Sequence, residues 1–450
     1  MRIFGTDGIR GQVGKYPLTA ENILKLAKAS SLVLKKKNSI SRVVINKDTR
    51  LSGYIYEPAL TAGFISMGIN VVLVGPLPTP ALTLLSKSLR ADFSVMITAS
   101  HNPFFDNGLK FFSNQGYKIS TEDENKIEDY FFNYNFDNFK IKQSNYGKAV
   151  RLNDAMGRYS EALKRSADRD LDYSKIKVTL DCANGAAYKV APEVLFEMGV
   201  DLHTIADKPS GTNINDRCGS LFPNKASQVV KKKKCNIGIC LDGDGDRVIL
   251  IDEKGDELKG EELIFIFANY YLKNKSLKKR SKIVTNEIAN FGLDIALNKL
   301  GLKLIRVKVG DKNILQEIQK NNHLFGGEPS GHFIFRDDLL IGDGMTTAIR
   351  IMSIMLKEGK KLSELKKGLD LLSVLDINQK IDRERFFQNE DKIYRNLNSL
   401  LSNKEIFFNI RPSGTESVLR VNLQYYKRNI KVNVLNKLKI NIIKIISDAC

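Results

Sequence analysis

Three aspartates alternate with two glycines in Asp242-Gly243-Asp244-Gly245-Asp246, directly after the apolar run Ile237–Leu241. In extended backbone, alternate residues face one side, and glycine lets the chain turn tightly enough for all three carboxylates to converge. Converging carboxylates repel one another unless a cation neutralises them, and a hard cation such as Mg²⁺ suits an all-oxygen donor set. A solvated acidic turn is the plain alternative. An EF-hand loop is a second, with Glu253 at its twelfth position, but Arg247 stands where that loop requires glycine and the flanks read as strands.

Ala99-Ser100-His101-Asn102-Pro103 follows another apolar run. Ser100 therefore sits beyond the C-terminal end of a strand, where open α/β sheets place ligands. A serine nucleophile needs a partner that handles its proton, and His101 and Lys110 are the nearby candidates. The same loop could serve only as a turn. Gly326-Gly327-Glu328-Pro329-Ser330-Gly331-His332 offers Glu328, Ser330 and His332 to a polyhydroxylated ligand, or is a turn before Phe333–Phe335. Arg411-Pro412-Ser413-Gly414-Thr415-Glu416, with Arg420 following, combines guanidinium, hydroxyls and glycine-exposed amides in the manner of a phosphate cradle. The alternative is a hairpin turn, and the spacing is not that of a Walker A loop.

Short β-branched runs must carry these loops. Arg42–Asn46, Val71–Val74 and Ser94–Thr98 read as strands, with helices over Glu57–Met67 and Thr79–Lys87 between them. The alternation recurs at Val178–Asp181, Ile237–Leu241, Val248–Asp252, Ile283–Thr285 and Lys303–Val307. It predicts α/β layers with much parallel pairing. SMGINVVLV, EMGVDLHTI and KLGLKLIRV each end a helix at a glycine (Gly68, Gly199 and Gly301) before a strand. Glycine just past a helix permits the left-handed cap, so three related α/β domains are expected. Boundaries fall near Asn145–Gly147, Lys254–Gly260 and Leu371–Asp376. The tail alternates at Phe407–Arg411 and Leu419–Leu423, then closes with an amphipathic helix, as a smaller α+β domain would.

The 450 residues carry 70 Lys plus Arg against 51 Asp plus Glu, a formal charge of +19 that raises a nucleic-acid or other polyanion partner. The lysines are dispersed, tryptophan is absent and no nucleic-acid motif occurs, so polyanion binding is the distant alternative. No apolar stretch follows the N-terminal basic residue and no long uncharged run appears, which argues against a signal peptide or a membrane span. The five cysteines are scattered without a CxxC pair, as free thiols in a reducing cytoplasm would be.

The four motifs, in this order, resemble the α-D-phosphohexomutase superfamily. Phe4-Gly5-Thr6-Asp7-Gly8-Ile9-Arg10-Gly11 is similar to the N-terminal signature of its bacterial phosphoglucosamine mutase family. So are Pro76–Pro80, Asp106–Phe112, Asp181–Gly185, Asn213–Asn215 and Val309–Asp311.

The resemblance implies three related α/β domains plus a smaller α+β C-terminal domain around a central cleft. The expected division is a phosphoserine domain over 1–148, a metal-binding domain over 149–254, a sugar-binding domain over 255–370 and a phosphate-binding domain over 371–450. It implies conversion of glucosamine 6-phosphate to glucosamine 1-phosphate, towards UDP-N-acetylglucosamine and the cell wall, in the cytoplasm. Phosphoglucomutase or phosphomannomutase activity is the alternative. Ser100 would carry a phosphoryl group and, with Asp242, Asp244 and Asp246, ligate Mg²⁺. Glu328, Ser330 and His332 would contact the sugar. Arg411, Ser413, Gly414, Thr415 and Arg420 would hold the non-reacting phosphate, Arg10 and Arg247 would neutralise charge around the transfer, and His101 or Lys110 would manage the hydroxyl's proton. Glucosamine 1,6-bisphosphate or glucose 1,6-bisphosphate would be the intermediate or activator. The expected partner is a phosphorylated hexosamine, with no nucleic acid and no membrane, and a homodimer is left open. Pro329, Leu340, Ile341, Lys312, Asn313 and Ser417 depart from the family pattern; none is the serine, an aspartate or a phosphate-loop hydroxyl.

Overall fold

A computed structural model describes residues 2–5, 7–36, 41–338, 341–401, 406–412, 417–427, 430 and 432–450. The chain forms two compact units, one of Met1–Tyr270 with Gly310–Lys367, the other of Tyr271–Val309 with Gly368–Cys450.

The first unit begins with a six-stranded sheet. Its strands are β1 (Ile9–Gln12), β2 (Arg42–Lys47), β3 (Asn70–Leu73), β4 (Phe93–Ile97), β5 (Asp106–Ser113) and β6 (Ala149–Arg151), in the order β1-β5-β4-β2-β3-β6. β2, β3, β4 and β6 run parallel, while β5 is antiparallel to both β1 and β4. Val43, Val44 and Ile45 are fully buried, as are Val95, Met96 and Ile97. Continuous apolar runs of this kind mark central strands covered on both faces. The helix expected from Glu57 instead spans Gly53–Ser66 with Pro58 inside it. Tertiary packing overrides the proline: Tyr56 is buried, and its hydroxyl donates to Leu18 O at 2.8 Å.

A second sheet contains β7 (Lys177–Asp181), β8 (Asp201–Ile205), β9 (Ile237–Leu241), β10 (Val248–Asp252) and β11 (Glu257–Leu258), in the order β11-β10-β9-β7-β8. β7 is parallel to β8 and β9, and β10 returns antiparallel beside β9. The reactive loops thus leave the C-terminal ends of β4 and β9. The helix Gly344–Glu358 packs on β9 and β10, capped by Asp343, whose Oδ1 accepts from Met345 N at 2.9 Å and Thr346 N at 3.1 Å. Phe325–Gly327 and Phe333–Phe335 form an antiparallel pair closed by rings from Phe267, Phe325, Phe333 and Phe335.

In the second unit, Lys282–Asn286 and Lys303–Val307 run parallel around the helix Phe291–Lys299. Strands Ser373–Lys380, Ile406–Pro412 and Val418–Tyr425 form an antiparallel sheet with Val418–Tyr425 central. Helices Arg383–Leu401 and Val432–Ala449 complete this α+β part over a core that includes Phe386, Leu397, Leu423 and Ile442. The three expected glycine caps all occur: Gly68, Gly199 and Gly301 have φ of +76°, +80° and +75°, each between a helix and a strand.

Candidate active site

The β9–β10 turn brings Asp242, Asp244 and Asp246 together, with one carboxylate oxygen from each within 4.8 Å of the others, all buried. Gly245 takes φ +70°, so the turn needs its left-handed conformation. Gly243 is required by space, since a Cβ there would lie 2.5 Å from Ser100 O.

Ser100 lies in the loop after β4, 1% exposed, with a left-handed φ of +51°. Its Oγ donates to Asp242 Oδ2 at 2.6 Å and stands 3.4 Å from His101 Nδ1. His101 Nδ1 is in turn 3.3 Å from Arg247 Nη1. Burial, with Arg247 and Arg10 nearby, pushes the imidazole down to about 4, so it is neutral at pH 7.

Lys110 projects from β5 beneath the aspartates. Its Nζ is 2.8 Å from Asp244 Oδ2, 3.2 Å from Asp246 Oδ2 and 3.5 Å from Asp7 Oδ2. Burial works against its charge, but Asp244, Asp246 and Asp7 hold it well above the usual lysine range. It is a fixed cation. Thr79 Oγ1 donates to Asp244 Oδ2 at 2.7 Å.

The carboxylates are unequal. Burial, then Asp246 and Asp244, drive Asp242 well above the ordinary carboxylate range. Burial would raise Asp246 too, but Lys110, His332 and Arg247 pull it well below. Asp244 Oδ1 and Asp246 Oδ1 are buried without a hydrogen-bond partner. Crowded hard oxygens with two orphaned lone-pair sites are what a divalent ion of the Mg²⁺ class needs. The residues fit that ion. Glu253, the EF-hand alternative's last ligand, instead accepts from Ser363 Oγ at 2.6 Å.

Arg10 lies on β1, bonded to Asp7. Asp7 also takes Lys118, whose Nζ donates to Asp311 Oδ1 at 2.7 Å. His332 is buried between Asp246 and Asp311, with its ring nitrogens 3.9 and 3.8 Å from their carboxylates. Burial opposes its charge, but Asp246, Asp311 and Glu328 raise it above the ordinary histidine value. Glu328 is buried and accepts from Gly310 N at 3.2 Å, whereas Ser330 is exposed on the adjoining turn. Lys312 Nζ donates to Ile119 O at 3.2 Å.

Arg411 and Arg420 belong to the second unit, as directly opposed partners on antiparallel strands. Ser413, Gly414 and Thr415 lie outside the described residues, as do Thr6 and Leu340. Sequence reasoning assigned no role to Asp7, Thr79, Asp311 or Asn215, although each falls in a quoted motif, nor to Lys118, which lies outside them. It passed over Asp48 and Arg50 altogether. A charged triplet, Asp48-Thr49-Arg50, at the end of the apolar strand β2 was the available signal.

Comparison with known proteins identifies the family. Family models for phosphoglucomutase/phosphomannomutase α/β/α domains I, II and III match residues 1–138, 157–255 and 259–370. The phosphoglucosamine mutase of Geotalea uraniireducens is 43% identical over 425 residues, covering 94% of this chain and 93% of the relative. That of Syntrophus aciditrophicus is 46% identical over 377 residues, covering 84% of each. Among solved structures, a phosphoglucomutase/phosphomannomutase family protein from Burkholderia thailandensis superposes with a TM-score of 0.81 at 21% identity, covering 99% of this chain and 97% of that one. An Aspergillus fumigatus N-acetylphosphoglucosamine mutase, solved in complex with GlcNAc-6P and magnesium, superposes with a TM-score of 0.65 at 17% identity, covering 99% and 95%. The chain is a mutase that belongs to the phosphoglucosamine mutase family, within the phosphohexomutase superfamily.

Proposed function

We propose that the chain interconverts glucosamine 6-phosphate and glucosamine 1-phosphate through a phosphorylated Ser100. The carrying observation is the hydroxyl of Ser100, buried and 2.6 Å from a carboxylate of the three-aspartate turn. In the first transfer, the P–O bond to Ser100 breaks, the phosphoryl group passes to the free sugar hydroxyl, and the proton that hydroxyl gives up ends on the departing Ser100 Oγ. The resulting glucosamine 1,6-bisphosphate reverses its orientation and returns its other phosphate to Ser100. Glucose 1,6-bisphosphate would serve to charge the serine.

Asp242, Asp244 and Asp246, with an oxygen on Ser100, would hold Mg²⁺. When bound, the ion supplies charge neutralisation at the transferring phosphoryl group. Lys110, Arg10 and Arg247 add fixed positive charge around the same oxygens. Lys110 is held as an ammonium by its carboxylates, so His101, neutral and beside Ser100 Oγ, is the better group to hold a proton. Glu328, Ser330 and His332 would read sugar hydroxyls, and Arg411, Ser413, Gly414, Thr415 and Arg420 would grip the idle phosphate. The four-part division at 148, 254 and 370 follows these roles. A cytoplasmic setting suits the four buried cysteines, which are free thiols like Cys450; among the described residues no helix is long and apolar enough to cross a membrane.

Parallel turnover assays on glucosamine, glucose and mannose 6-phosphates test the substrate. Preference for glucosamine 6-phosphate is expected; a clear preference for glucose or mannose 6-phosphate would overturn the assignment.

A further inference from the structure

Arg50 is enclosed by protein, with 1% of its surface exposed. Burying a guanidinium costs several kcal/mol unless its charge and its donors are all matched. Here Asp48 supplies the countercharge, accepting from Arg50 Nε at 2.8 Å. The remaining donors go to carbonyls of one loop. Nη2 donates to Ser100 O at 2.8 Å and Asn102 O at 2.9 Å, and Nη1 to Asp106 O at 3.0 Å and to Pro103 O. Asn215, from the segment before β9, donates its Nδ2 to two of the same carbonyls, Ser100 O at 2.9 Å and Asn102 O at 3.1 Å.

The other side of Ser100 closes the circuit. Its backbone N–H donates to Thr98 Oγ1 at 2.8 Å, and Thr98 Oγ1 donates to Asp48 Oδ2 at 2.7 Å, the oxygen that also receives Arg50 Nε. Ser100 is therefore fixed through its N–H and its carbonyl by one ring of hydrogen bonds that begins and ends at Arg50. A non-glycine residue held in left-handed backbone costs about 1–2 kcal/mol and persists only where its surroundings over-determine it.

We propose that Arg50 and Asn215 are positioning residues for phosphoryl transfer, setting the direction in which Ser100 Oγ leaves the loop. The proposal rests on the phosphoserine reading above. Neither side chain need touch sugar or phosphate, so their removal should lower turnover without weakening substrate binding.

Two variants probe this. Asn215→Gly deletes the donor and suits its own left-handed φ of +58°. Arg50→Lys keeps the charge against Asp48 but cannot span four carbonyls. Full-length enzyme is assayed for kcat, KM, melting temperature and the rate at which dephosphorylated protein takes a phosphoryl group from glucose 1,6-bisphosphate, read by intact mass. Asn215→Gly is expected to lose about 10-fold or more in kcat and in phosphoryl uptake, with KM within about twofold and melting unchanged. Arg50→Lys should lose more; if it does not fold, Asn215→Gly decides alone. Wild-type kcat and uptake in Asn215→Gly, or losses matched by loss of folded protein, would overturn the proposal. Ser100→Ala separates the two readings. If it is inactive while Asn215→Gly runs at full rate, only the positioning role falls; if it remains active, both fall.

Discussion

Ser100 Oγ and Asp242 Oδ2 lie 2.6 Å apart across 142 residues of sequence. The contact joins the C-terminal ends of β4 and β9, from two different sheets, at one buried point. It makes the serine and the acidic turn a single site. Ser100→Ala should therefore abolish turnover and remove the covalently bound phosphate, which intact-mass measurement of both proteins checks. Retained activity would exclude the serine as carrier.

Among the three buried carboxylates, Asp244 Oδ1 and Asp246 Oδ1 have no hydrogen-bond partner. Mg²⁺ should raise the melting temperature, by about 2.7 kcal/mol of stability at a hundred times its dissociation constant, and chelation should reverse the gain. Asp242→Asn removes the carboxyl most disfavoured by burial and its two neighbours. The metal-free variant should melt no lower than the parent, while the Mg²⁺ response disappears. Thermal scans with and without the ion measure both.

His101 titrates at about 4 in the folded protein because burial and two guanidinium groups disfavour its charge. The neutral ring is therefore available throughout the neutral range and is lost only as pH falls towards 4. An acid limb in kcat from this residue should lie below about pH 5, not near the unperturbed value of about 6.5. His101→Gln should reduce kcat by about 100-fold and abolish that limb.

Asp343 starts the helix Gly344–Glu358, whose first amide donates to Gly245 O at 3.1 Å. Burial raises its carboxyl to about 6 from 3.8. The folded protein keeps this proton where the unfolded chain has lost it. The resulting stabilisation is full below about pH 4 and fades as pH rises through about 6, by at most ~3 kcal/mol. Asparagine also caps helices. Asp343→Asn should flatten the pH dependence of melting between about pH 4 and 7 without unfolding the helix.

Arg411 and Arg420 are directly opposed on neighbouring antiparallel strands, so their side chains leave the same face of the sheet. Replacing either with alanine should raise KM for the sugar phosphate by about 10- to 100-fold, as loss of a charge-assisted contact implies. Phosphoryl uptake by Ser100 should need correspondingly more bisphosphate, whose idle phosphate the same arginines would hold, while its rate at saturation is kept.

The chemistry was legible where it is local. The aspartate–glycine alternation and the serine beyond a strand end are short patterns whose geometry follows from backbone periodicity. The glycine caps were legible for the same reason. β1 and β5 do not read as strands in the sequence, because their glycines and mixed polarity hide the alternation, and the partner of β1 lies about a hundred residues away. The helix Gly53–Ser66 starts a turn before the Glu57 that the sequence suggests, and only the packing of Tyr56 shows that it runs through Pro58. The Asp7–Lys118–Asp311 linkage and the ring through Arg50 were invisible because each depends on side chains from separate segments meeting. Only tertiary structure distinguishes a buried arginine from a surface one.

The backbone at Ser100 also chooses between two alcohols. Threonine carries the same hydroxyl and accepts phosphate as readily in chemical terms. Its β-branch, however, is poorly tolerated at a φ of +51°, where a second substituent on Cβ crowds the chain. A kinase-like tolerance for either residue is thus closed to this site, and Ser100→Thr should fail as a phosphoryl carrier for conformational reasons alone.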